Sequence, residues 1–253
     1  MTDTREEVLA EHFDAFHTAR AAHGLVDRLY AEAMGDAYPH DVAPYSSCDL
    51  VLLGQLVGRL RLRPGQVLGD AGCGTGGVGL WLARALGVRL VGWDVSLAAV
   101  RLATGRAARF AMAGRAEFRV GTLEASRLPE ESLDGLVCVD AFANADAGRA
   151  LGEMRRVIRA GGRLVVTRAG TGDVQGRAVT QAAEAGLVVE EIVVRAGEPA
   201  MWERLYGLWQ EREAELRRAV GDEQAGRMLR EAERMVPRLA ARTALLVTMR
   251  VPG

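Results

Sequence analysis

The chain has 253 residues, enough for one α/β domain with a large buried core. Its 32 basic and 33 acidic side chains leave a formal net charge of −1, which excludes a basic surface of the kind that draws proteins onto nucleic acid. No stretch reaches the apolar length that spans a bilayer, and the charged residues 1–7 do not read as a signal peptide.

Residues 4–34 place apolar groups at helical spacing: Val8, Leu9, Phe13 and Phe16, then Leu25, Val26, Leu29 and Tyr30. Gly24 divides them into two helices. His12, His17 and His23 fall on the charged first helix and read as solvated. A loop with two prolines follows over 35–47, carrying Tyr38 and His40 just ahead of Tyr45. A helix over about 48–61 then leads through Arg63-Pro64-Gly65 into an apolar run.

That run, Val67-Leu68-Gly69-Asp70, turns through five glycines between positions 72 and 79 into the helical pattern at 80–86. A strand, a glycine loop and a helix in this order cradle a nucleotide-like cofactor, and GxGxxG matches start at both Gly72 and Gly74. A dinucleotide's pyrophosphate, however, is drawn by backbone N–H groups and a helix N-terminus, and a carboxylate at the loop entrance repels it. Asp70 occupies that entrance, and no basic residue lies between it and Arg84. The loop therefore favours an adenosine ligand that carries a cation near Asp70 and no phosphate, as S-adenosylmethionine does, over NAD.

Further strands alternate with helices, which predicts a mostly parallel sheet covered on both faces. Residues 90–94 end in Asp94, about 20 residues past the loop, where a carboxylate reaches ribose hydroxyls. Asp94 also fits the cap of the next helix. Strands follow near 118–123, ending at Thr122 and Leu123, near 133–140, ending at Asp140, and near 163–166. The tail holds two more, over 187–194 and 243–250, with about 45 helical residues between them. Trp202, Leu205, Tyr206 and Trp209 share one face of that insertion. Three cysteines, Cys48, Cys73 and Cys138, have neither metal nor disulfide spacing, so no metal is expected and the setting read from them is a reducing cytoplasm.

Together these motifs resemble the class I S-adenosylmethionine-dependent methyltransferases of small-molecule type. The first motif of that family, roughly Asp-x-Gly-x-Gly-x-Gly, is matched by Asp70-Ala71-Gly72-Cys73-Gly74-Thr75-Gly76. The stretch Leu128-Pro129 to Asp134 is similar to the family's lead into strand four. Residues 155–166 are similar to its helix-to-strand turn, with Ala160 where proline is usual. The resemblance covers roughly residues 45–195.

It implies a Rossmann-like, doubly wound, mostly parallel sheet with an antiparallel last strand. Residues 1–62 would form an N-terminal helical cap, 63–195 the cofactor core, 196–241 a helical substrate cover and 242–253 the last strand, all in one domain. The cofactor residues it implies are Asp70, Gly72, Cys73, Gly74, Gly76, Asp94, Val95, Thr122, Leu123 and Asp140. Thr122 departs from the Asp that many members have there, leaving adenine chiefly to the Leu123 backbone. Many members also carry a histidine after strand four; here residues 140–145 offer only Asn144, and no histidine follows His40. The candidate catalytic residues are therefore His40 and Asp140, and neither is singled out as the base. Tyr38, Asn144, Trp202, Tyr206 and Trp209 are expected at the substrate, a small organic molecule rather than nucleic acid or membrane; a homodimer stays open. The competing readings are a non-methylating cyclisation or isomerisation with the cofactor bound, an NAD(P)-dependent oxidoreductase, and a non-catalytic partner subunit.

Overall fold

Runs of branched side chains bounded by glycine and polar turns become seven strands: β1 (Val67–Ala71), β2 (Arg89–Asp94), β3 (Ala116–Val120), β4 (Leu133–Cys138), β5 (Ile158–Thr171), β6 (Val188–Val194) and β7 (Arg242–Arg250). The computed structural model describes residues 4–142 and 145–253. The strands form one sheet in the order β3-β2-β1-β4-β5-β7-β6. Strands β1 to β5 are parallel, and β7 runs antiparallel between β5 and β6. This is the expected doubly wound sheet with its antiparallel last strand.

Both faces are covered, as the alternation along the strands requires. Leu136, Leu164 and Leu245 point to one face, where α6 (Ala147–Val157) and α7 (Val174–Glu184) pack. Their neighbours Val137, Val165 and Leu246 point to the other, under α3 (Leu50–Leu60) and α4 (Gly77–Leu86). The helix α5 (Leu97–Arg106) follows β2, and Ser96 caps it, its hydroxyl accepting from Ala99 N at 3.0 Å.

A third core lies apart from these two. It joins α2 (Leu25–Met34) to the three helices of the insertion, α8 (Glu198–Glu211), α9 (Glu213–Val220) and α10 (Asp222–Leu239). Helix α1 (Thr4–Ala22) packs on α5 and α9. Of the residues 1–62 expected as a cap, α3 lies on the sheet, with Leu52, Leu53 and Leu56 buried in the core on the side of β4 and β5.

Two local features differ from expectation or set the site. Residues 160–162 are an irregular start to β5 rather than a turn before it: Ile158 pairs with Leu133 but Arg163 pairs with Gly135, and Gly161 takes up the slack at φ +78°. At the glycine loop, Gly77 passes so close to the Val42 carbonyl that a side chain there would collide with it. The strand order reverses between β1 and β4, and in such sheets ligands bind in the crevice beyond the carboxyl ends at that point.

Candidate active site

A cavity of about 330 Å³ occupies this crevice. Its floor is the glycine loop, four of whose N–H groups are already committed. Gly72 N and Cys73 N donate to Trp93 O at 2.9 and 3.0 Å, and Gly76 N donates to Cys73 O at 2.9 Å. Gly74 N donates to Asp94 Oδ2 at 2.8 Å. A phosphate needs several free N–H groups converging on it; these four are turned to protein oxygens.

Two buried carboxylates face the same space. Asp70, 3% exposed, accepts from Gly79 N at 3.1 Å, so it braces the first turn of α4 as well as lining the cavity. Burial pushes its carboxyl up to about 7, with the Gly79 N–H opposing and the charge of Asp94 adding to the rise. Asp94 is also held above the usual carboxylate range by burial, against the N–H groups of Ser96 and Gly74. It spans the loop and the start of α5, while the cap itself is Ser96. Two acids raised by burial fit a ligand that brings positive charge with it.

Val95, Thr122 and Leu123 form the wall beyond β2 and β3, and the Thr122 carbonyl is fixed by Trp93 Nε1 at 3.0 Å. Cys73 lines the floor, but burial lifts its thiol well above the ordinary range, so it stays protonated. Gly76 does not face the cavity. At φ +75° it turns the chain into α4, close against Ala103 and Phe118.

Asp140 stands at the β4 end of the cavity with φ +54°, a left-handed backbone that is uncommon away from glycine. One carboxylate oxygen accepts from Ser47 N and Ser47 Oγ, both at 2.6 Å, and the other from Thr167 Oγ1 at 2.7 Å. Arg195 continues the chain of contacts, donating to Ser47 Oγ at 2.7 Å and to Ser47 O at 2.5 Å. This network ties the segment carrying Tyr45 and Ser46, both at the cavity wall, to β4, β5 and the end of β6. With both oxygens engaged, the Asp140 carboxylate is built to position that segment.

One side of the cavity is formed by α1. Leu9, Phe13, Phe16 and His17 lie on one face at helical spacing and line it. Asp14 fastens the helix in place, taking the Ser96 hydroxyl at 2.6 Å and Ala98 N at 2.9 Å. The expectation that His17 is solvated is therefore corrected: it is 5% exposed, and its ring stacks on Tyr45 with centroids 5.8 Å apart. Burial, and next the charge of Arg20, push its imidazole down to about 4, so it is neutral near pH 7. Arg20, itself buried, lies over the Tyr45 ring and donates to Asp27 at 2.9 Å.

Other expected site residues are placed elsewhere. His40 is exposed and, with the buried Tyr38, lines a separate depression beside Arg106 and Arg109 rather than the cofactor cavity. Trp202, Tyr206 and Trp209 do not reach the cavity; they pack in the core of α2, α8, α9 and α10. Trp202 Nε1 donates to Glu198 at 2.8 Å and Tyr206 donates to Glu231 at 3.0 Å, which satisfies two of their polar ends internally. Asn144 lies outside the described residues. Sequence reasoning missed the cavity roles of His17 and Arg149, while the segment from Tyr45, which the resemblance implies packs over the cofactor, does line the cavity with Tyr45 and Ser46. The 9, 13, 16, 17 spacing was the available signal for the first.

Fold and site define an α/β protein that holds a nucleoside cofactor at a topological switch point. Residues 68–162 match the model of a family described as "Methyltransferase domain". "Methyltransferase GfsG" of Streptomyces halstedii is 30% identical over 131 residues, which are 51% of this chain and 46% of that protein. "27-O-demethylrifamycin SV methyltransferase" of Amycolatopsis mediterranei is 28% identical over 168 residues, 66% of this chain and 60% of the relative. The chain thus spans about half to three fifths of these curated relatives. The solved structure of the "[4+2]-Cyclase SpnF" superposes with a TM-score of 0.72 at 20% identity, over 80% of each chain, a likeness of fold. Residues 68–162 thus carry a methyltransferase-type domain, and a solved structure of similar fold, described as a geranyl diphosphate methyltransferase, is in complex with S-adenosylmethionine, the cofactor expected from Asp70 and its loop.

Proposed function

We propose that the protein transfers a methyl group from S-adenosylmethionine to a small organic acceptor at O, N or C. The observation that carries this is the pairing of two buried acids, Asp70 and Asp94, with a glycine loop in which the N–H groups of residues 72, 73, 74 and 76 are committed to protein oxygens. Such a floor suits an ammonium and ribose hydroxyls and repels a pyrophosphate. The cavity has the volume of one cofactor-sized ligand at the low end of ligand pockets, so the acceptor meets the methyl from its rim.

Methyl transfer is an in-line displacement on a carbon already activated by the sulfonium, so placement about 3–3.5 Å away is the main task. The segment of Tyr45 and Ser46, held by Asp140 and Arg195, is the natural placing surface. An amine or stabilised carbon acceptor needs no base. For a hydroxyl acceptor, Asp140 is the nearest carboxylate at the β4 end. The near-neutral charge supports a small molecule over nucleic acid.

A second reading keeps the cofactor but transfers nothing, catalysing a cyclisation or isomerisation. Its support is the lack of any histidine after position 40 and the fold likeness to a chain named as a cyclase. The deciding experiment offers labelled S-adenosylmethionine together with hydroxylated natural products, 27-O-demethylrifamycin SV first, and measures S-adenosylhomocysteine release. Release with labelled product supports transfer. Conversion of an acceptor without S-adenosylhomocysteine supports the second reading. A melting shift with NAD and none with S-adenosylmethionine at 100 times its Kd, where about 2.7 kcal/mol is expected, refutes both.

A further inference from the structure

The cofactor has an anionic end, and four of the loop's N–H groups are turned away from it. The backbone N–H groups of residues 72, 73, 74 and 76 all donate to protein oxygens. The acids Asp70, Asp94 and Asp140 offer no donor. Arg149 enters from the start of α6, beside Asp146 and Glu124, on the side of Thr122 and Leu123.

At the opposite side, His17 hangs from α1 over the loop. Its Cε1 is 3.7 Å from the point a side-chain carbon on Gly74 would occupy. Its Nδ1 is sealed from solvent with no hydrogen-bond partner among the described residues. Protonating that nitrogen would strand a buried N–H, so the ring keeps its proton on the other nitrogen. Any polar contact with a ligand in the cavity therefore falls to Nε2, as a donor and not as a base. The stacked Tyr45 and the Asp14 clamp on α5 hold the ring in this pose.

We propose that His17 donates a hydrogen bond from Nε2 to the α-carboxylate of S-adenosylmethionine, completing from the N-terminal helix the amino-acid site whose ammonium side is Asp70. The proposal rests on the cofactor reading above. It makes α1 part of the cofactor site, so that binding the methyl donor and seating this helix are one event.

The test compares two ligands that differ only in the carboxylate, S-adenosylhomocysteine and S-adenosyl-3-thiopropylamine, by calorimetry at pH 7.5 on the full chain. The wild type should bind the first about tenfold more tightly, the usual scale for a hydrogen bond to a charged group. His17→Phe keeps the stack on Tyr45 but loses the donor. It should weaken S-adenosylhomocysteine about tenfold and leave the amine within about twofold. His17→Gln, which keeps a side-chain N–H, should retain part of the preference. Equal weakening of both ligands, or of neither, overturns the proposal.

A readout on the wild type guards against a variant that fails to fold. By NMR, S-adenosylhomocysteine should raise the titration midpoint of the His17 ring, because the carboxylate favours its charged form, and the amine should not. Equal midpoints with the two ligands overturn the proposal. A wild type that binds neither ligand overturns the cofactor reading and this proposal with it, whereas equal affinity for both overturns this proposal alone.

Discussion

Asp70 couples cofactor binding to pH. In the empty cavity its carboxyl titrates at about 7 because it is buried. A cationic ligand requires the ionised form, so apparent affinity is reduced by the factor 1 + 10^(pKa − pH). That factor is about 11 at pH 6 and about 1.1 at pH 8, a loss of roughly 1.4 kcal/mol over two pH units. The same shift has an opposite effect on the unliganded fold. A carboxyl raised in the folded state costs nothing below its unfolded value of 3.8, and its penalty grows as pH rises toward 7 and is complete above it. Asp70→Asn keeps an oxygen for Gly79 N and removes the charge. Without ligand the variant should be more stable than wild type at pH 8, by up to about 4 kcal/mol, and no more stable at pH 4. Its affinity for S-adenosylhomocysteine should be lower and flat between pH 6 and 8. Urea unfolding and calorimetry at the three pH values read both effects. A wild-type affinity that does not change between pH 6 and 8, or a variant less stable than wild type at pH 8, refutes the argument.

Three further outcomes follow from the packing. Trp209→Ala empties a buried site of the cap core and should cost about 3–5 kcal/mol in urea unfolding while leaving the S-adenosylhomocysteine Kd within about twofold. A large change in Kd would return this residue to the ligand site. Asp140→Ala strands the Ser47 N–H and hydroxyl and the Thr167 hydroxyl, so about 1–3 kcal/mol should be lost and amide exchange at residues 44–49 should quicken. Asp140→Asn tolerates the left-handed backbone and should lose less. Gly77→Ala drives a methyl into the Val42 carbonyl and should weaken S-adenosylhomocysteine at least about tenfold by calorimetry; unchanged binding would show that the loop yields there.

The cofactor half was legible because its signals are local. A run of apolar residues, Asp70 and the glycines after it specify strand, turn and helix within 20 residues, and the spacing to Asp94 follows from one βαβ unit. The acceptor half was not, because periodicity reports that a helix has an apolar face but not what the face meets. Trp202, Tyr206 and Trp209 share a face as well in a cap core as in a substrate wall, and Leu25, Leu29 and Met228 decided the matter. His17 failed for the converse reason. On a helix rich in charge it reads as solvated, and only the clamp of Asp14 on Ser96, distant in sequence, turns that face inward. The bulge in β5 hid for a third reason, since Gly161 and Gly162 mark a turn and a strand irregularity equally well.

The separateness of the third core has a historical consequence. Its side chains belong to neither of the two cores that fix the sheet, so replacing them leaves the strand ends and the glycine loop where they are. A lineage can therefore rebuild the helices of the insertion without re-inventing the donor half. Diversification in such a protein should accumulate between residues 196 and 241 while residues 67–96 change slowly, as in a tool whose handle is kept and whose bit is exchanged.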